Sequence, residues 1–194
     1  MVNGRRRIAG GQNACFEVAN EMAKKATYVY EWPRPMVTVD AAVFGLFAGK
    51  AKLLLVNRKW EPYKGCWAIP GGFIEIDEEL EDAVARELEE ETGLADVELE
   101  QMRTFGTVGR DPRGRQITVV FMGIAGKGQK RVRGGDDAAE ARWFDIERLP
   151  ENMAFDHREV ADFAISRLKR KGLSREGRSR KTLKHLKDSG QISP

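Results

Sequence analysis

Three carboxylates, Glu87, Glu90 and Glu91, crowd into one short acidic stretch of the chain, residues 72–94, GFIEIDEELEDAVARELEEETGL. Leu80, Ala83, Val84 and Leu88 recur there at helical spacing. At about 100° per residue, Leu80, Val84 and Leu88 point to about 0°, 40° and 80°, and Glu87 and Glu91 fall at about 340° and 20°. Both acids therefore stand in the apolar stripe and not on the wet face. Desolvated carboxylates held close together disfavour each other's ionised form unless a cation or a base pairs with them. Glu90, three positions from Glu87, sits beside them on a helix. A hard, oxygen-seeking cation such as Mg²⁺ resolves the conflict, because it takes carboxylate ligands and keeps sites for substrate phosphates. The chemistry this pattern suits is metal-assisted attack on a phosphate.

The acids belong to a longer pattern. Gly72, Glu78 and Arg86-Glu87-Leu88-Glu89-Glu90-Glu91-Thr92-Gly93-Leu94 stand at the spacing Gly, five residues, Glu, seven residues, Arg-Glu-apolar-x-Glu-Glu-x-Gly-apolar. This resembles the Nudix box, with every position filled, which is far more specific than a lone glycine loop. The plainer reading is a solvated acidic helix. The resemblance spans roughly residues 36–170 and implies an α/β fold, an α/β/α sandwich with a mixed β-sheet. It implies a hydrolase of nucleoside diphosphates linked to another group, dependent on Mg²⁺ with Mn²⁺ as a substitute. It also implies roles: Glu87, Glu90, Glu91 and the carbonyl of Gly71 hold metal, Arg86 orients a neighbouring glutamate, and Glu78 stabilises the loop–helix junction. Arg58 is expected to meet substrate phosphate, although a strand-end arginine in solvent fits the sequence nearly as well.

Two further segments resemble the ADP-ribose pyrophosphatase branch of the family, GRDPRGR at 109–115 and AFDH at 154–157. Arginines around a tight turn suit a diphosphate or a terminal ribose phosphate, so Arg110 and Arg113 are expected in substrate binding. An exposed, ordinarily charged hairpin loop is the alternative. Asp156 is expected to cap a helix and His157 to be structural. The general base stays open between a box glutamate and Asp136, Asp137 or Glu140. The expected reaction is hydrolysis of ADP-ribose, to AMP and ribose 5-phosphate, or of a nucleoside diphosphate sugar. Two alternatives stand beside it. One is a nucleoside triphosphate pyrophosphohydrolase that sanitises the nucleotide pool. The other is a non-catalytic ADP-ribose sensor, as in relatives fused to a DNA-binding winged helix. The intact box, and the short stretch of about 25 residues after the last expected helix, argue against the sensor.

These groups need a scaffold. The apolar runs 37–47 and 51–57, joined by Ala48-Gly49-Lys50, read as a hairpin. Pro70, Gly71 and Gly72 are expected to form a turn, followed by a short strand at 73–76 and a helix from about 79 to 92 that Gly93 stops. Residues 97–108 and 115–125 read as two strands, 126–137 as a loop, and 140–144 as the closing strand. Val160, Phe163, Ala164 and Leu168 mark a second amphipathic helix over 156–169. Trp67 is expected in the core. Tyr28, Tyr30 and Trp32 alternate, which suits an edge strand covering the domain, a base or a dimer interface, although Pro33 and Pro35 follow at once.

With 194 residues the chain is long enough for one cored domain, assigned to 36–170, with an arm at 1–35 and a basic tail at 171–194. No run of 18 apolar residues exists, and no apolar segment follows Arg5, Arg6 and Arg7, so neither a membrane span nor a secretory signal is expected. Cys15 and Cys66 make no disulfide framework or zinc site, which suits a cytoplasmic setting. Residues 167–194 hold ten Lys or Arg against two acids, a charge of +8 that leaves −5 elsewhere in a chain of net charge +3. The tail is the one place where nucleic acid binding is expected, against the plainer reading of a solvated segment. The partner expected of the body is a small nucleoside diphosphate substrate, and the family resemblance admits a homodimer.

Overall fold

The computed structural model of the chain describes residues 30–172 apart from 48, 127, 130 and 136. Residues 1–29, the tail 173–194 and the candidate base Asp136 lie outside the described residues, as does Tyr28 of the alternating aromatics. Contacts divide the chain into Met1–Arg34 and Pro35–Pro194. In the first unit Tyr30 and Trp32 are exposed and Arg34 lies 3.8 Å from the Tyr30 ring. The edge strand expected there is not found among the described residues 30–34. Pro33 removes a ladder donor from the segment.

The second unit is a mixed sheet between two helices. Its strands are β1 (Met36–Phe47), β2 (Lys50–Arg58), β3 (Trp67–Ala68), β4 (Gly71–Phe73), β5 (Leu99–Phe105), β6 (Gln116–Ile124) and β7 (Ala138–Asp145), and its helices are α1 (Leu80–Thr92) and α2 (His157–Arg170). The order is β3-β2-β1-β6-β5, with β4 on β1 and β7 on β2. β1 and β6 run parallel, and the other pairs are antiparallel. The expected α/β/α sandwich is therefore the fold. No helix among the described residues is long and apolar enough to cross a membrane.

The period of two along each strand builds the layers. Val39, Ala41 and Val43 of β1 face one core with Leu54, Val119 and Phe121, under Ala83, Val84 and Leu88 of α1. Ala42 and Phe44 face the other with Leu53, Leu55, Val120 and Met122, under Val160, Ala164 and Leu168 of α2. A central strand buried on both faces reads as an unbroken apolar run, which is why β1 is so clear in the sequence. α1 ends at Gly93, whose φ of 71° is left-handed and whose N–H bonds Glu89 O at 2.8 Å.

The expected turn at 70–72 and strand at 73–76 need correction. Strand β4 starts two residues earlier, because Gly71, Gly72 and Phe73 pair with Asp40, Val39 and Thr38 of β1. The ladder, not the turn preference of the glycines, decides the conformation. A Cβ on Gly71 would lie 2.1 Å from Val39 O, so only glycine lets this strand approach β1.

Candidate active site

α1 lies against β1 and β4, and that contact carries its acids to the strand ends. Glu91 is buried, and its Oε2 accepts the Gly71 N–H at 3.0 Å. Glu87 folds over Gly72, where a Cβ would sit 2.5 Å from its carboxylate. Adjacent glycines therefore admit adjacent acids. Burial, more than any neighbour, pushes the Glu91 carboxyl up to about 8; the Gly71 N–H opposes this, and the charges of Glu87, Asp40 and Asp137 add to it. Glu87 is also pushed up by burial, which outweighs the Arg86 guanidinium hydrogen-bonded to it at 2.8 Å.

Arg86 ties the box together. It donates to both oxygens of Glu78 (2.8 and 2.9 Å), to Glu87, to exposed Glu90 at 3.2 Å and to Phe73 O at 3.1 Å. The Glu78 bonds, chief among these contacts, raise the Arg86 pKa further. Glu78 also accepts the Glu75 N–H, closing the loop before α1. Thus Glu87 and Glu90 share a counter-ion, and no ion pair among the described residues includes Glu91.

A cleft of about 280 Å³ opens over this wall. Gly71, Glu87 and Glu91 line it together with Asp137, Arg58 and Arg113. Arg58 lies 4.9 Å from the Phe155 ring and donates Nε to Pro62 O at 2.9 Å. Burial first, then Arg113, lowers its pKa. Arg113 lies 5.6 Å from Phe155 and 5.3 Å from Phe73, and is held by Asp111 through Nε, Nη2 and the backbone N–H. Two guanidiniums thus lie near one aromatic ring in the same cleft as the acids.

Other expected positions have different partners. Arg110, its side chain only 3% exposed, donates Nε and Nη2 to Asp156 at 2.9 and 2.6 Å. The arginine expected at substrate lines the cleft with its guanidinium engaged in a buried ion pair, and the aspartate expected to cap α2 makes no side-chain cap bond. Arg110→Ala should strand Asp156 and cost about 3–5 kcal/mol in a denaturant melt. Loss of substrate binding with unchanged stability would reverse that reading. Glu140, another candidate base, is exposed and pairs with Arg142 at 2.6 Å, outside the cleft. Asp137 is in the cleft and accepts the Trp60 indole N–H at 3.2 Å. Trp67 is partly buried against Phe144, with ring centroids 4.7 Å apart.

Several lining residues escaped sequence reasoning. Asp40, buried in β1, accepts the Thr118 hydroxyl at 2.6 Å and lies 3.9 Å from His157 Nε2. His157 Nδ1 accepts the Ile69 N–H at 2.9 Å, and burial lowers the pKa of the ring, so it stands neutral and structural. A lone acid in the apolar run VTVDAAVFGLF was the available signal for Asp40. Phe73 and Trp60 carried none, and Phe155 only its place in AFDH, since loops and long-range pairing bring them into the cleft.

The carboxylates of Glu91, Glu87, Asp40 and Asp137 and the Gly71 carbonyl make an all-oxygen donor set, which fits a hard divalent cation. Among the described residues, no three His, Cys, Asp or Glu side chains are already grouped to hold one. Arg86 occupies Glu87 and Glu90 in this arrangement.

Comparison with known proteins agrees with this architecture. The NUDIX domain profile matches residues 36–163. The chain is 43% identical over 126 residues to an ADP-ribose pyrophosphatase of Methanocaldococcus jannaschii, covering 65% of this chain and 70% of that protein. It is 34% identical over 146 residues to the ADPR-responsive transcriptional repressor NtrR of Acinetobacter baylyi, covering 73% of this chain and 57% of that one. A solved NUDIX domain of Shewanella oneidensis NrtR, complexed with ADP ribose, superposes with a TM-score of 0.65 at 31% identity, covering 77% of this chain and 97% of that one.

Proposed function

The chain belongs to the Nudix family, and from that membership we propose that it hydrolyses the diphosphate of ADP-ribose, or of a related nucleoside diphosphate sugar, with a divalent metal. The observation that carries this is the cleft itself, which is lined both by acids, with Glu91 buried, and by Arg58 and Arg113. The similarity to an ADP-ribose pyrophosphatase supports the substrate class.

Glu87, Glu90 and Glu91, with the Gly71 carbonyl, would hold Mg²⁺ or Mn²⁺. When bound, such an ion neutralises diphosphate charge and lowers the pKa of a coordinated water. Arg58 and Arg113 bind the phosphate oxygens, and Asp111 fixes the angle of the Arg113 guanidinium. Arg86 holds Glu87 in place, and so acts as a positioning residue and not as a substrate ligand. The base that takes the proton of the attacking water is drawn from the box glutamates and Asp137, which lies in the cleft with one oxygen fixed by Trp60.

Arg113→Ala should raise KM for ADP-ribose by about tenfold or more, the loss of one charge-assisted contact, with kcat much less affected. An unchanged KM would return Arg113 to a surface role. The reaction itself is tested by a panel of ADP-ribose, nucleoside diphosphate sugars, NADH, diadenosine polyphosphates and dNTPs. AMP with ribose 5-phosphate is the expected product pair, whereas pyrophosphate release from a dNTP would favour the triphosphate reading. The repressor and the ADP-ribose-bound NrtR domain support a second reading, sensing without turnover. Tight ADP-ribose binding with no AMP formed in Mg²⁺ would favour it.

A further inference from the structure

Gln116 opens β6 and lines the cleft although it is only 5% exposed. Its Nε2 donates to Thr38 Oγ1 at 3.1 Å. Its Oε1 is the one buried side-chain N or O atom without a hydrogen-bond partner among the described residues. A buried, unserved acceptor costs free energy, so it is met by water or by a ligand. In a cleft wall, a ligand that displaces the water must replace its bond.

Other residues of the same cleft narrow the ligand. Thr38 pairs across the β1–β4 ladder with Phe73, an exposed aromatic at 42%. The Arg113 guanidinium lies 5.3 Å from that ring. An aromatic face and a carboxamide acceptor together form the chemistry that receives a nucleobase bearing an exocyclic amine. The face stacks the ring, and the acceptor takes the N–H. Trp60, also in the cleft lining, has its indole N–H already donated to Asp137 and so offers only a face.

We infer that Gln116 is a specificity-determining residue, its free amide oxygen accepting a hydrogen bond from the adenine amine of the substrate, with Phe73 as the stacking face. This rests on the nucleoside diphosphate reading of the cleft but concerns the base, not the bond that is cleaved. The test is the dissociation constant of AMP against that of IMP, which carries an oxo group in place of the amine. Both are measured calorimetrically on the wild-type chain and on Gln116→Met, with ADP-ribose turnover followed in the same preparations.

The wild type should favour AMP by about 5- to 150-fold, the range set by leaving a buried acceptor unserved. Gln116→Met should bring the ratio to about one by weakening AMP, and its effect on ADP-ribose should fall on KM more than on kcat. A wild-type ratio near one would overturn the inference. So would equal loss of both nucleotides in Gln116→Met, or no binding of either. A preference for IMP would show that the amide presents its nitrogen, and would overturn it too. The wild-type ratio needs no variant to fold. If ADP-ribose is not cleaved while AMP is still preferred, the hydrolase reading fails and the base assignment stands.

Discussion

Glu91→Gln is expected to lower kcat by about a hundredfold or more, some 2.7 kcal/mol of barrier, and at the same time to raise the melting temperature of the metal-free protein at pH 8. The two effects have one cause. Glu91 is buried, accepts one N–H from Gly71, and is pushed up to about 8 by its surroundings. A carboxylate whose folded pKa exceeds its ordinary 4.5 keeps a proton that the unfolded chain gives up. Its contribution therefore favours folding most below pH 4.5 and weakens as pH rises towards 8. Glutamine has the same shape, still accepts the Gly71 N–H and has no charge to desolvate. For a chain of this size each kcal/mol recovered corresponds to about 2–4 °C. An enzyme that loses activity while gaining stability has lost a functional charge and not a structural one. Retained turnover would remove Glu91 from the proposed metal site, and a lowered melting temperature would mean that its charge is compensated within the fold. Glu87→Gln should stabilise less, because Arg86 already balances part of that charge.

How far the sequence revealed this site depends on the range of the contacts involved. The box was legible because its acids share one helix with the apolar residues that orient them, and a period of 3.6 is written locally. The two faces of β1 were legible as an apolar run. Contacts made across the fold were not. Asp156, 46 residues away, gives Arg110 a buried partner, and nothing in GRDPRGR distinguishes that arginine from Arg113. The strand at Gly71–Phe73 exists because β1 offers a ladder, so glycines that favour a turn in isolation were misread. Gln116 has the same cause: its amide matters only because Thr38 takes one end of it from the neighbouring parallel strand. The box acids belong to one helix, while Asp40, Asp137 and the groups that would recognise the rest of a substrate belong to strands and loops.

Chelation should abolish hydrolysis, with Mg²⁺ or Mn²⁺ restoring it, and should leave a pH-dependent signature in stability. Glu87, Glu91, Asp40 and Asp137 all line the cleft that a diphosphate must enter, against Arg58, Arg113 and the Asp156-bound Arg110. Like charges brought together at a buried site repel, and Glu87 and Glu91 are already pushed up there, first by burial and then by their acidic neighbours, before substrate adds its charge. A divalent cation would compete with the proton on Glu91, so its stabilising effect should grow as pH rises from 6 to 8 and that proton becomes easier to displace. In EDTA the melting temperature should decline over the same interval. His157 has the opposite sign. Its pKa is lowered from 6.5 by burial, so the folded state refuses a proton that the unfolded chain accepts, and stability falls as pH drops below 6.5. Melting curves at pH 5.5, 7 and 8 with and without Mg²⁺ separate the two, since only the alkaline decline should be relieved by metal. A hydrolysis rate indifferent to EDTA would end the metal reading of this cleft. An alkaline decline that Mg²⁺ does not relieve would move the ion away from Glu91.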